Sequence, residues 1–347
     1  SGNITIGVGN TILETGTRIN VGGNFTNNGT FTVDDGSVNF NGSGSQSINT
    51  NTFNTLLVNK SSGTLTLSGD LVINSDLTVS SGTLDLSTYL ADRSNPGGTF
   101  TLASGATLKV AGAVNFPNYY TTNTINASGT VEYNGTVAQS ITDVDYGNLT
   151  ITNGGSTAKS LLGAITVNGN LLINSNSTFD PDSNNITLWG NLTNNGTFTP
   201  AASTLILKGT SKTLSGSGVM SVYNVYVLGG TYTLTSTTVT LAGDLFIDSP
   251  PSSLTSMAAT TTFDGDLTNK GTLIGSAILT FTGTRTQTLQ LLGALVSTST
   301  GTVNFNGTVP FVANSTSPPT FATVNINNTG GTLSFAQPWT VAVACNI

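Results

Sequence analysis

GNLTNNGTFT, the stretch from Gly190 to Thr199, decides the fold of this chain. It returns almost unchanged as GNFTNNGTFT from Gly23 to Thr32, and a third, degenerate copy, GDLTNKGTL, runs from Gly265 to Leu273. A segment that recurs at long intervals is the signature of a repeat architecture. The alternation in each copy predicts a strand, a tight turn and a second strand, with Asn195-Gly196 supplying positive backbone dihedrals in the turn.

Alternation of apolar and polar residues continues through most of the chain and sets a coil length. From Gly63 to Ser87, apolar pairs recur every six or seven residues, as expected for short strands that face one core. The residues predicted to face inward are Leu65, Leu67, Leu71, Ile73, Leu77, Val79, Leu84 and Leu86. Three strands complete one turn before the fourth pair arrives, so the step from Leu65 to Leu84 predicts coils of about 19 residues.

Longer repeats give the same coil length. Motifs similar to VNFNG begin at Val38, Val131, Leu205 and Leu279, at intervals of 93, 74 and 74 residues. The first interval is longer by 19 residues, which is one coil. We therefore predict an all-β fold, a single parallel β-solenoid (β-helix) that spans residues 1–347 as one domain. Parallel crossovers favour a right-handed coil, although the near-hexad spacing also fits a left-handed one.

Composition narrows the classes of function. Charged residues make up 7% of the 347 residues and Gly, Ser, Thr and Asn are abundant, so the surface must carry mainly hydroxyls and amides. The net charge of −7 and the scattered Lys and Arg residues leave no basic stripe for phosphates, which argues against nucleic acid as a partner. No apolar run approaches the ~20 residues of a membrane span. We expect an exported protein, extracellular or at the cell surface, without a membrane span.

The residues available for catalysis are few. The absence of histidine removes the commonest general base and any His-based zinc site. The acidic pairs are Asp34 with Asp35, Asp143 with Asp145, Asp180 with Asp182, and Asp264 with Asp266. Each is explained more simply as a polar corner than as a catalytic or calcium site. We predict no enzyme activity, no catalytic residue, no cofactor and no metal.

One aromatic cluster lies in an irregular stretch. Phe116, Tyr119 and Tyr120 fall within NFPNYYTTN, where the alternation is interrupted. Such rings could stack on a sugar, but a loop that folds over the core is the simpler interpretation.

The succession GNFTNNGTF, VNFNG, FNTLLVNKSSGTLTLSGDLVIN resembles the repeats of large secreted bacterial surface proteins with β-helical shafts, including filamentous haemagglutinin-like adhesins. The resemblance extends from about Gly22 to Val341 and rests on low-complexity repeats. It implies an exported, non-enzymatic surface or fibre protein. We recognise no adhesin head, secretion domain or export-sorting domain in the sequence.

The two terminal segments suggest how such a protein would assemble. Alternation begins within the first ten residues and continues through the last ten, without an evident cap to cover the backbone groups of a terminal coil. A head-to-tail contact between different ends propagates as an open fibre. The residues predicted to form this subunit interface are Ile4, Ile6, Val8, Val341, Val343 and Cys345.

Three functions follow as hypotheses from the sequence. The first is a structural subunit of an extracellular bacterial filament that assembles with itself as a head-to-tail homopolymer. The second is the shaft or binding module of a surface adhesin, with a cell-surface or matrix polysaccharide as a partner. The third, a β-helical polysaccharide-active enzyme, would require a groove with clustered acidic and basic residues.

Overall fold

The computed structural model describes residues 2–13, 15–49, 51–199, 202–235, 238–256, 260–275, 278–282, 287–292, 294–297, 302–307, 311–315, 320–327, 329, 332–335 and 337–346. These residues form parallel strands stacked as a β-solenoid, and they contain no helix. The all-β solenoid prediction is confirmed. The Cα positions group into two compact units, Ser1–Leu162 with Val167–Gly169 and Gly163–Thr166 with Asn170–Ile347. One domain over residues 1–347 and the hand of the coil stay predictions.

The first unit is built from short strands that each pair in parallel with a strand of the neighbouring coil. Its longest strands, β9 and β11, turn a corner, so β9 pairs with both β6 and β7. The strands are β1 (Ile4–Ile6), β2 (Thr11–Leu13), β3 (Arg18–Val21), β4 (Phe25–Asn27), β5 (Thr30–Thr32), β6 (Ser37–Phe40), β7 (Gln46–Ile48), β8 (Asn51–Phe53), β9 (Thr55–Leu67), β10 (Leu71–Ile73), β11 (Leu77–Asp85), β12 (Ala91–Asp92), β13 (Gly97–Leu102), β14 (Thr107–Val110), β15 (Tyr120–Ile125), β16 (Thr130–Tyr133), β17 (Gln139–Ile141), β18 (Asp145–Tyr146), β19 (Asn148–Ile151) and β20 (Ala158–Leu161).

The register of these strands measures the coil. Leu84 lies opposite Leu65, as the sequence predicts, and the next two partners in the same column are Leu108 and Val131. The successive steps are 19, 24 and 23 residues, and the coils are on average about 21 residues long, close to the predicted 19. The two longer steps contain the Pro-bearing stretches 92–98 and 115–123. The extra residues therefore lie in these two stretches, which also include the first residues of β13 and β15.

The core of the first unit consists of the predicted inward positions. Leu65, Leu67, Leu71, Ile73, Leu77, Val79, Leu84 and Leu86 are all buried. Their outward neighbours, such as Thr66 and Thr78, are half-buried. This alternation places an apolar side chain of one coil on that of the next, at the ~4.8 Å spacing of neighbouring strands.

The second unit continues the same construction. In its described residues the strands form three parallel sheets, in which each strand pairs with the equivalent strand of the neighbouring coil. Its strands, together with β21, whose residues fall in both units, are β21 (Ile165–Val167), β22 (Leu171–Ile173), β23 (Thr178–Asp180), β24 (Ile186–Leu188), β25 (Leu192–Asn194), β26 (Thr197–Phe198), β27 (Thr204–Leu207), β28 (Lys212–Ser215), β29 (Val219–Val222), β30 (Asn224–Val227), β31 (Thr231–Leu234), β32 (Thr238–Leu241), β33 (Leu245–Ile247), β34 (Ser253–Ser256), β35 (Thr260–Phe263), β36 (Leu267–Asn269), β37 (Thr272–Gly275), β38 (Ile278–Phe281), β39 (Gln287–Leu291), β40 (Ala294–Ser297), β41 (Thr302–Phe305), β42 (Phe311–Ser315), β43 (Thr320–Ile326), β44 (Leu333–Phe335) and β45 (Thr340–Asn346).

Aromatic side chains stack from coil to coil inside this second unit. Phe263 and Phe281 have ring centroids 5.1 Å apart, and Phe281 and Phe305 have centroids 5.4 Å apart, with nearly parallel planes in both pairs. The stacking follows from the register, because each pair occupies equivalent positions in neighbouring strands. The core therefore repeats residue type as well as backbone position.

The GNLTNNGTFT stretch forms a corner between two sheets. Leu192 and Phe198 are buried on either side of this corner. The prediction of positive dihedrals at Asn195-Gly196 is wrong, since neither residue has a positive φ. Glycine is needed for a different reason: a Cβ at Gly196 would lie 2.4 Å from the carbonyl oxygen of Ser177 in the preceding coil. Close approach of two backbones, and not turn conformation, selects glycine here.

Asn and Asp side chains that open the repeats link each coil to the next. The Oδ1 atom of Asn170 accepts the backbone N–H of Asn191 at 2.9 Å, and Asn191 in turn accepts the N–H of Thr213 at 2.9 Å. Carboxylates do the same beside a different sheet, where Asp244, before β33, accepts from the N–H of Asp266 at 2.9 Å, and Asp266, before β36, accepts from that of Thr288 in β39 at 2.7 Å. We call this arrangement the Asx ladder. It explains why Gly-Asn and Gly-Asp begin the repeats.

Candidate functional site

A buried amide and a buried ammonium form a polar cluster inside the first unit. Gln139 and Lys159 are both buried, and Lys159 Nζ donates to Gln139 Oε1 at 2.7 Å and to the carbonyl oxygen of Gly135 at 2.6 Å. The Nε2 group of Gln139 donates to the carbonyl oxygens of Val110 at 3.0 Å and Gly112 at 2.8 Å in the preceding coil. We call this cluster the Gln–Lys clamp, because it joins three coils at one corner.

A second Gln–Lys clamp, formed by Gln46 and Lys60, lies earlier in the first unit. Gln46 accepts the N–H of Gly42 at 3.1 Å, just as Gln139 accepts that of Gly135 at 2.8 Å. Lys60 Nζ donates to Gln46 Oε1 and, at 2.7 Å, to the carbonyl oxygen of Gly42. The shared signal is Asn-Gly followed by Gln four residues after the Gly. The sequence analysis missed this signal because Asn, Gly and Gln are also common in corners that form no clamp.

Other side chains replace the clamp in the second unit. The Nε2 group of Gln287 donates to the carbonyl oxygen of Gly265 at 2.8 Å. The hydroxyl of Tyr232 lies 2.9 Å from the carbonyl oxygen of Leu188 and 3.1 Å from that of Gly190, so its one proton is shared between them. Burial raises the pKa of Tyr232 to about 12. These contacts satisfy buried corner carbonyls, which would otherwise cost free energy. The clamps therefore stabilise the buried corners of the coils.

The buried lysine predicts a pH dependence of stability. Burial lowers the pKa of Lys159 from 10.5 to about 8, so between those values the unfolded chain binds a proton that the folded chain does not. The free energy of unfolding should therefore rise with pH from about 8 to about 10.5 through this group. We expect the melting temperature of the parent to rise relative to that of Lys159→Met across this window. Lys270→Met, which alters an exposed lysine, should track the parent; equal pH profiles for all three would contradict the assignment.

The structure gives local contacts for two of the acidic pairs predicted from the sequence. Asp180 accepts the backbone N–H of Asp182 at 2.9 Å in a local turn, and Asp266 belongs to the Asx ladder. Asp143 and Asp145 are both exposed. Across the described ranges, no three Asp, Glu or Cys side chains are grouped closely enough to hold a metal ion.

The aromatic cluster of the irregular stretch folds over the core, in line with the simpler interpretation. Phe116 and Tyr120 are buried, Phe116 packs edge-on against Phe100 with centroids 5.7 Å apart, and the Tyr120 hydroxyl donates to the carbonyl oxygen of Ala91 at 3.2 Å. Tyr119 alone is exposed, with a φ of 65°. These rings therefore do not form a joint sugar-stacking surface.

Strands β1, β2 and β3 form a coil that carries exposed apolar side chains. Within the described residues, β1, β2 and β3 pair only with the following coil, through β4, β5 and β6. Ile6 is buried, whereas Val8 is 87% exposed in the turn after β1 and Leu13 is 62% exposed in β2. We call β1, β2, β3 and the turn at Val8 the first-coil edge. Val8 is thus in a turn, and the strand alternation ends at Ile6.

The other predicted interface residues lie in β45. This strand pairs with β43, with Val341 opposite Phe321 and Cys345 opposite Val324. Val341 is half-buried, and the side chains of Val343 and Cys345 lie outside the described part of the structure. The assignment of these six residues to a subunit interface stays a prediction.

A polar groove lies on the outer face of the second unit. It has a volume of about 310 Å³ and is lined mainly by hydroxyl side chains, with one ammonium group. Its lining residues are Ser211, Lys212, Thr213, Thr231, Tyr232, Thr233, Ser253 and Thr255. The core of the same unit holds an apolar cavity of only about 20 Å³, which has room for about one water molecule.

Comparisons with known proteins do not assign the chain to a family. No family model matches it, and neither the curated proteins nor the solved structures contain a significant match. The described residues also include no helix with the length and apolar character needed to cross a membrane.

Proposed function

We propose that this chain is a non-enzymatic structural subunit of an extracellular filament, in which the final coil of one subunit stacks on the first-coil edge of the next. The observation that carries the proposal is the one-sided pairing of β1, which among the described residues pairs only with β4. Ile4 N–H donates to the carbonyl oxygen of Asn24, and Ile6 C=O accepts the N–H of Asn28, both at 2.8 Å. In a parallel strand the intervening residue, Thr5, points its N–H and C=O to the other side.

Exposed apolar side chains support the same surface. Ile12 and Leu13 in β2 and Val8 beside β1 are all exposed, and burial of apolar surface is the main favourable term in association. An edge that offers unpaired backbone groups beside apolar side chains is suited to accept another strand. A second coil of the same kind supplies matching groups, and repetition of this heterologous contact gives a fibre.

Light scattering and electron microscopy of the purified chain test the assembly. The parent should form particles whose mass rises with protein concentration, and these should be visible as fibres. Thr5→Pro should remain small, because proline removes the outward N–H and its ring obstructs an incoming strand. The inward hydrogen bonds of Ile4 and Ile6 are untouched by this change.

Thr5→Val is the matched control, because it retains the N–H and the strand preference of the parent; it should assemble normally. A parent that persists as a monomer at high concentration, with no fibres, would reject the proposal. Equal assembly of Thr5→Pro and the parent would reject the role of this edge.

The shaft or binding module of an adhesin is the second candidate. The polar groove of the second unit favours the binding module. A shaft that only separates other parts of a protein has no need for a cluster of polar side chains with unused hydrogen-bonding capacity. Both candidates place the protein outside the cell or at its surface.

A further inference from the structure

We infer that the polar groove of the second unit is a binding site for an acidic polysaccharide, with Lys212 contacting a carboxylate of the sugar chain. This inference goes beyond assembly and does not depend on it. The groove volume of about 310 Å³ falls at the lower end of ligand sites, which suits one sugar unit of a longer chain.

The hydroxyls of the groove form columns that follow the stack of coils. Thr213 lies opposite Thr233, and Thr233 lies opposite Thr255, while Thr231 lies opposite Ser253 in the second column. Neighbouring strands place successive hydroxyls ~4.8 Å apart. A row of equivalent donors and acceptors that runs from coil to coil is suited to a polymer with repeated hydroxyl groups.

Much of the hydrogen-bonding capacity in the groove is uncommitted. The Tyr232 hydroxyl is directed to backbone groups, Thr231 Oγ1 accepts the N–H of Ser211 at 2.6 Å, and Thr213 Oγ1 donates to Asn191 Oδ1 at 3.3 Å. The remaining side chains make no hydrogen bond or ion pair to the described residues: Ser211, Lys212, Thr233, Ser253 and Thr255.

The rim of the groove is held in a fixed conformation. Ser211 has a φ of 55°, which L-residues other than Asn, Asp and Gly seldom adopt. Its N–H donates to Thr231 Oγ1 at 2.6 Å, which joins this corner to the next coil. Backbone strain of this kind often accompanies ligand contacts, and here it coincides with the uncommitted polar groups.

The charge of Lys212 indicates which class of sugar the groove would bind. Lys212 is the only charged residue among those that line the groove, so the groove carries a local positive charge within a chain of net charge −7. An unpaired ammonium bonds best to an anionic acceptor. Uronic acid units combine such a carboxylate with hydroxyls for the Thr and Ser columns, whereas a neutral sugar leaves the ammonium without its strongest partner.

Calorimetric titration with tetragalacturonate tests the inference. We expect saturable binding that Lys212→Met weakens by roughly 10-fold to 100-fold, as for loss of one charge-assisted hydrogen bond. Lys208→Met, which removes a lysine outside the groove, should bind like the parent. Thr233→Val with Thr255→Val should also weaken binding, and it keeps the site testable if Lys212→Met fails to fold as judged by circular dichroism.

Two further ligands separate sugar recognition from general anion binding. Cellotetraose, a neutral chain of equal length, and polyglutamate, a polyanion without sugar hydroxyls, should each bind more weakly than tetragalacturonate. Equal binding of polyglutamate, an equal loss in Lys208→Met, or no binding of tetragalacturonate at millimolar concentration would overturn the inference. Because Thr5→Pro leaves the groove intact, its binding should match that of the parent whether or not the parent forms fibres.

Discussion

Leu71→Asp is expected to unfold the first unit or to lower its stability by roughly 4 kcal/mol or more, among the largest effects of a single substitution. Leu71 is 1% exposed and lies in β10 between Asn51 of β8 and Ala91 of β12. A carboxylate there loses its hydration without gaining a cation, and protonation only replaces the charge by a buried polar group. Urea and thermal denaturation followed by circular dichroism measure the loss.

Val72→Asp is the matched control for this substitution. Val72 is the next residue of the same strand, but its side chain points outward and is 37% exposed. The new carboxylate would keep much of its hydration, so the cost should be near 1 kcal/mol or less. If Leu71→Asp and Val72→Asp melt alike, the inward assignment of the strand is wrong.

Gln139→Leu is expected to destabilise the first unit by several kcal/mol, the second large effect. The substitution removes both donors to Val110 and Gly112 and the acceptor for the N–H of Gly135. It also takes away one of the two acceptors of the buried Lys159 ammonium. Each buried polar group left without a partner costs about 1–3 kcal/mol, and a buried charge costs more.

A double variant distinguishes this explanation from simple packing. Gln139→Leu with Lys159→Met removes the buried charge together with its acceptor, so it should be more stable than the sum of the two single losses predicts. Gln290→Leu changes a half-buried, outward glutamine and should cost little. Strict additivity of the two clamp substitutions would show that Gln139 and Lys159 do not act together.

The fold could be predicted because the information is local. Apolar residues two apart, as in Leu71 and Ile73, specify which side of a strand is buried whatever the rest of the chain does. The 19-residue step from Leu65 to Leu84 was recoverable for the same reason, since that coil contains little but strands and short corners. Coils with longer corners, such as the one between Leu84 and Leu108, show no such regular spacing in sequence.

The corners could be predicted less well because their chemistry is not local. Gln139 and Lys159 are 20 residues apart and come together only after the coils stack. Gly196 was assigned to a positive φ, yet its real constraint is the carbonyl oxygen of Ser177, which belongs to another coil. The polar groove was missed for a related reason: Thr213, Thr233 and Thr255 look like any outward residues until their register is known.

The hydrogen bonds of the Asx ladder all have the same direction along the chain. In the links from Asn170 to Asn191, from Asn191 to Thr213, and from Asp244 through Asp266 to Thr288, the acceptor always precedes the donor in the chain. A nascent polypeptide emerges from the ribosome with its N-terminus first. Each completed coil therefore presents its side-chain acceptor before the matching N–H has been synthesised. It can serve as a template onto which the following coil folds.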